Sequence, residues 1–194
     1  MAKHSESIED IIVLATRLDK DALFEAGAQQ KEIDALTERL RGNITELLAK
    51  HEGHPAAGEA EFINCFWSSE KDTEKVVKFI EEFRAMSVKE LTSILPEGKQ
   101  TDFLYHGVAS GTSLVSRQYK KTLFKKTHTG TELYGDLVNR SQYFASYGRN
   151  HNLQVIIGEE LADWLPGESL DPQGEIDYKN GSKQCRVFSL KAKD

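Results

Sequence analysis

The chain has 194 residues, of which 39% are apolar, 9% aromatic and 29% charged, a balance that fits one globular domain with a sizeable core. Its 25 Lys and Arg stand against 31 Asp and Glu, for a formal charge of -6, which excludes a protein whose whole surface binds a polyanion while leaving room for a local basic patch. No apolar run approaches the roughly 20 residues that cross a bilayer, the polar N-terminus carries no export signal, and Cys65 and Cys185 sit in no paired-ligand context, so a cytoplasmic protein in a reducing compartment, without membrane partners, is expected.

In chain order, Ser7 and Asp10 resemble an N-cap arrangement before Ile8, Ile11, Ile12, Ala15 and Leu18, whose spacing predicts a first helix ending near Gly27. Ile33, Leu36, Leu40, Ile44, Leu47 and Leu48 predict a second, broken by the segment His51 to Pro55. Val76, Val77, Phe79, Ile80 and Phe83 mark a third, and Ser87 with Glu90 reads as a capping box opening a fourth that Pro96 and Gly98 end. After Gly98 the texture shifts: Phe103 to Gly107, Leu153 to Gly158 and Cys185 to Leu190 are rich in aromatic or β-branched residues and read as strands, while the polar stretch from Pro166 to Gly181 reads as loop. The expectation is an α+β protein: a helical region over residues 1–97, packed on or preceding a mixed or antiparallel β core over 98–194.

His106-Gly107, at a strand end, combines an imidazole that can bond a ligand with a residue that admits close backbone approach. Downstream come Tyr134, the run Asp136-Leu-Val-Asn-Arg-Ser141, and Gln173-Gly-Glu175 ahead of Gly181. In this order the segments resemble the ADP-ribosyltransferase superfamily over about residues 103–190, in the His-Tyr-Glu branch of poly(ADP-ribose) polymerases and diphtheria-type toxins. Two departures stand out: Glu132 occupies a place where the polymerases usually carry glycine, and the spacing from Tyr134 to Asp136 is one residue shorter than theirs.

The resemblance implies an NAD-dependent mono-ADP-ribosyltransferase that releases nicotinamide and modifies a macromolecule, most simply a protein. Cleaving the ribose–nicotinamide bond develops positive charge on the sugar, which a carboxylate stabilises. Glu175 takes that role, with Asp177 two residues on as the alternative; His106 holds a ribose hydroxyl, and Gly107, Tyr134 and Tyr143 cradle the nicotinamide. NAD is then a substrate, and no metal is called for: His51, His54 and Cys65 match no zinc spacing. Arg117, Lys120, Lys121, Lys125 and Lys126, interleaved with Tyr119 and Phe124, form a basic patch open to pyrophosphate or, less favourably, nucleic acid. Trp67 and Trp164 read as packing residues. The competing readings are a non-enzymatic interaction protein with a helical docking region, and a degenerate homologue that binds NAD or ADP-ribose without turnover.

Overall fold

The computed structural model describes residues 2–58, 61–95, 103–121, 126–178 and 183–191. Among these, eight strands form one mixed sheet: β1 (Ala2–Leu18), β2 (His54–Ala56), β3 (Phe62–Trp67), β4 (Leu104–Lys121), β5 (Lys126–Tyr134), β6 (Val155–Gly158), β7 (Leu170–Tyr178) and β8 (Lys183–Leu190). Their order is β2-β3-β1-β4-β6-β8-β7, with β5 on β4. The helices are α1 (Lys20–Glu25), α2 (Gln30–Lys50), α3 (Thr73–Thr92), α4 (Asp136–His151) and α5 (Glu159–Ala162).

The α+β expectation holds, but the N-terminal half is not all helix. Where a first helix is predicted the chain runs as the longest central pairing of the sheet, β1 antiparallel to β4 from Ala2↔Lys120 to Leu18↔Leu104. Ile11, Val13 and Ala15 point to one face and Ile12 and Leu14 to the other, each with 0% exposure. A strand covered on both faces loses the alternation that would betray it, and its apolar run then mimics a helix. Strands from both sides of residue 97 therefore share one sheet.

The two layers follow from that alternation. On one face Ile12, Leu14, Cys65, Trp67 and Val108 pack under α2 and α3, through Leu36, Leu40, Phe79 and Phe83. On the other, Ile11, Val13, Phe66, Ala109, Ile156 and Val187 pack under α4, through Leu137 and Phe144. Glycine permits this second contact: a Cβ on Gly107 would stand 2.0 Å from the Ser141 carbonyl oxygen and 2.4 Å from the Ala145 nitrogen, so only a residue without a side chain lets α4 settle on β4. The third and fourth predicted helices are one, α3. Ser87 starts nothing; it is buried mid-helix and its hydroxyl donates to the Phe83 carbonyl at 2.7 Å.

The three strands expected in the C-terminal half overlap β4, β6 and β8, which begin at Leu104, Val155 and Lys183. The polar stretch after Pro166 is not all loop, because Leu170–Tyr178 forms edge strand β7, antiparallel to β8 with a bulge at Pro172/Gly174. Beyond the core, the first half of β1, the second half of β4 and β5 continue as a three-stranded arm. Among the described residues no helix is long and apolar enough to cross a membrane.

Candidate functional site

Where the arm joins the core, β5 ends at Tyr134, Gly135 turns the chain at φ 122°, and α4 begins at Asp136. The positive φ suits glycine. Beside this junction lies a cleft of about 490 Å³ lined by Gly58, Asn64, Glu132, Tyr134, Asn139 and Gln142, among others. Each element contributes by its own periodicity. Asn139 and Gln142 are three apart, so they share one face at the start of α4, the face left over once Leu137, Ser141, Phe144, Ala145 and Gly148 are buried on the sheet. Glu132 and Tyr134 are two apart on β5 and share a strand face. Asn64 lies between Phe62 and Phe66 on the α4 side of β3.

The start of α4 is fixed by Asp136, which accepts hydrogen bonds from the Tyr178 hydroxyl at 2.9 Å and the Lys183 ammonium at 2.7 Å; burial and that carboxylate together push the Tyr178 phenol up. One turn on, Arg140 pairs with Glu160 at 2.8 Å. The Glu132 carboxylate accepts from Gln118 Nε2 at 3.0 Å and from the Tyr134 hydroxyl, and holds the Tyr134 phenol above its ordinary range. Asn64 is different: it is 3% exposed, and among the described residues neither its Oδ1 nor its Nδ2 has a hydrogen-bond partner.

The residues nominated from the sequence do not converge. His106 sits on β4 facing α3, on the opposite side of the sheet from α4, with 0% exposure. Its Nδ1 lies 2.9 Å from the Thr16 hydroxyl, its ring meets Phe83 edge-on at 6.1 Å, and burial pushes its pKa down to about 3. It is a neutral core residue and reaches no ribose. Gly107 is covered by α4. Tyr134 is 49% exposed at the root of the arm. Tyr143 packs its ring on Tyr178 at 5.4 Å and donates to the Asp177 carbonyl, so it is structural. Glu175 is exposed on β7, opposite Arg186 of β8; with β6 and β8 intervening it stands roughly 14 Å from β4, at about 4.8 Å per strand. Gln173 is likewise tied to β8, donating to the Ser189 hydroxyl at 2.9 Å.

The basic patch dissolves in part. Arg117 is committed to Glu9, at 2.8 Å through Nη2, and draws that carboxyl down to about 2. Lys120, Lys121 and Lys126 lie on the arm strands, and Phe124 and Lys125 fall outside the described residues. His54 packs on Phe66 at 5.1 Å, and burial pushes the Cys65 thiol up. Among the described residues no group of three or more His, Cys, Asp or Glu is placed to hold a metal.

Sequence reasoning passed over Asn64, Asn139 and Gln142. Two signals were available: a lone amide inside the apolar strand Phe62–Trp67, and the burial-forming spacing 137, 141, 144, 145, 148, which marks α4 as a helix opening immediately after Gly135.

No protein-family model matches the sequence, and no curated protein matches it. The fold, by contrast, is shared with solved nucleotide cyclases. The chain superposes on a bacterial light-regulated adenylyl cyclase with a TM-score of 0.71 at 12% identity, over 96% of its own length and 52% of the other, so it spans about half of that protein. It matches the adenylyl cyclase CyaB from P. aeruginosa at 0.68 and 12% identity, covering 98% and 97% of the two chains. With the guanylate cyclase domain of RhGC from Catenaria anguillulae, in complex with GTP, the values are 0.62, 13%, 98% and 100%.

The chain thus carries the fold of adenylyl and guanylyl cyclase domains. This overturns the ADP-ribosyltransferase expectation, and with it the transfer of ADP-ribose, NAD as substrate and the release of nicotinamide. The short segments that carried that resemblance serve packing here: His106 fills one layer, Gly107 admits α4 to the other, and Asp136 to Ser141 is the first turn and a half of a helix.

Proposed function

We propose that this chain is a nucleotide-binding domain of the adenylyl and guanylyl cyclase fold, with its ligand in the cleft where β5 meets α4. The observation that carries the reading is the match of at least 96% of the chain to cyclases, one of them in complex with GTP. The cleft supports it. It is concave, and its polar groups are chiefly amides suited to the hydrogen-bonding edges of a base or sugar.

Cyclising a nucleoside triphosphate forms a bond from the ribose 3′ oxygen to the α-phosphorus and breaks the bond from that phosphorus to the pyrophosphate oxygen. Divalent cations commonly neutralise the charge that develops. Among the described residues no cluster of three or more ligating side chains is present, and the carboxylates at the junction of β5 with α4 are engaged, Glu132 with Gln118 and Tyr134, and Asp136 with Tyr178 and Lys183. We therefore assign this chain nucleotide binding without cyclisation on its own.

Calorimetric titration of the purified chain with ATP and GTP, paired with chromatography for cyclic nucleotides in the presence of Mg²⁺ or Mn²⁺, tests both parts. Saturable binding without a cyclic product is expected. Absence of binding by either nucleotide refutes the assignment, and a cyclic product refutes its non-catalytic half.

A further inference from the structure

We infer that Asn64 is the residue with which this cleft reads a nucleobase, and that the base it selects is adenine; the inference rests on the nucleotide reading above and adds its specificity. Asn64 is 3% exposed, and among the described residues both polar atoms of its amide lack partners. Folded proteins satisfy nearly all buried polar groups, because an orphaned donor or acceptor forfeits its full hydration. An amide with both ends unpaired, lining two adjoining cavities of about 490 Å³ each, is a prepared donor–acceptor pair.

The cover over this amide is slight. Gly58 lies directly on it, so closely that a Cβ there would fall 1.9 Å from Asn64 Nδ2. Ala57 and Gly58 form a strap that separates the two cavities, and both residues line each of them. Among the described residues the strap is held by one backbone bond, from the Ala57 N–H to the Thr131 carbonyl at 2.8 Å, and by the three-residue ladder of β2 on β3. Lifting it exposes the amide to the cleft that Asn139 and Gln142 line.

A carboxamide offers one acceptor and one donor side by side. Adenine matches this with its N6 amino hydrogen and an adjacent ring nitrogen, the bidentate pairing by which asparagine reads adenine in DNA. Guanine presents two acceptors on its O6/N7 edge and would leave Oδ1 unpaired. Its O6/N1–H edge does match, but it brings the N2 amino group along, a further donor that has to be desolvated and given an acceptor beside the amide. Adenine is the base whose edge the amide matches with no second donor carried in beside it.

The test is competition between ATP and GTP for the wild-type chain and for Asn64→Leu and Asn64→Asp, with thermal denaturation of each ligand-free protein. The wild type should favour ATP by about 10- to 100-fold, the range a good bidentate pair provides. Asn64→Leu should erase the preference and raise the melting temperature, since it replaces an orphaned amide by an apolar group of similar size. Asn64→Asp, which only accepts, should move the preference toward GTP, whose N1 and N2 both donate. Nucleotide binding with a base preference unchanged in both variants overturns the inference alone, as does wild-type binding without preference. A lower melting temperature in Asn64→Leu with the preference retained overturns it too, and makes the amide structural. Failure of the wild type to bind any nucleotide overturns the functional assignment and this inference together.

Discussion

The seat of α4 on the sheet gives a sharp test of how packing and site are coupled. In Gly107→Ala a Cβ is asked to lie 2.0 Å from the Ser141 carbonyl oxygen, 2.4 Å from the Ala145 nitrogen and 2.8 Å from the Phe144 Cβ. Two of these are backbone atoms of a helix, so no rotamer change relieves the contact; α4 must rise from β4 as a body. Overpacking of this kind costs about 2–3 kcal/mol, and a chain of this size loses about 2–4 °C of melting temperature per kcal/mol, so a drop of roughly 4–12 °C is expected. The shift carries Asn139 and Gln142 with it, so nucleotide affinity should fall in the same variant. Gly42→Ala is the control: nothing lies within 4 Å of a Cβ there, the residue is exposed inside α2, and helix propensity alone should raise stability by about 0.5–1 kcal/mol. Both variants are read by circular dichroism melting and urea titration. If Gly107→Ala melts with the wild type, the close contact of α4 with β4 is not what holds that layer.

Two further expectations come from single side chains. The folded protein holds the His106 imidazole down at about 3, against an ordinary value of 6.5, so the unfolded chain binds the extra proton between those limits and stability must fall as pH drops from about 6.5 towards 3, by up to about 1.4 kcal/mol per pH unit. His106→Leu should flatten the urea-midpoint profile between pH 6.5 and 5, and an NMR titration should show no protonation of His106 above pH 5; a midpoint near 6.5 would mean that the ring is not buried. Asn139 is exposed on α4, so Asn139→Ala should leave the melting temperature unchanged while weakening nucleotide binding by roughly 2- to 10-fold, the worth of one hydrogen bond; equal affinity in a calorimetric titration would remove Asn139 from the site.

The sequence spoke most clearly where one face of an element is solvated. The stripe Ile33, Leu36, Leu40, Ile44 and Leu48 marks α2 because the residues between are polar. β1 has no such contrast: its apolar residues are divided between two helical layers, and a spacing of 8, 11, 12, 15 and 18 is what remains visible. Ser87 looks like a cap, yet the decision between cap and helix interior lies with its neighbours in space, which bury it within α3. The site was hidden for a related reason. His106, Tyr134 and Glu175 lie in a suggestive order along the chain, but order says nothing about which face or which strand a residue occupies, and the sheet sends these three to a buried layer, an arm and an edge. Asn64 shows in the sequence as a lone amide inside an apolar strand, but whether its two ends are paired depends on which groups the fold brings beside it.

The pairing of β1 with β4 also sets a timetable for the nascent chain. Residues 11–18 are among the most apolar of the molecule; 12–17 find β3 after some 50 residues, but the segment waits for β4 until residues 104–111 have emerged. At ribosomal rates of about 5–20 residues per second that second interval lasts roughly 5–20 s. During it one edge of the strand is unpaired and the face destined for α4 is bare, since α4 follows later still. Closure of a pairing separated by about 100 residues is also the slow step expected of such topology. Synthesis of this domain therefore passes through a sticky interval that ends only when β4 has paired and α4 has covered the bare face, and holdase chaperones would act on the emerging chain within that window.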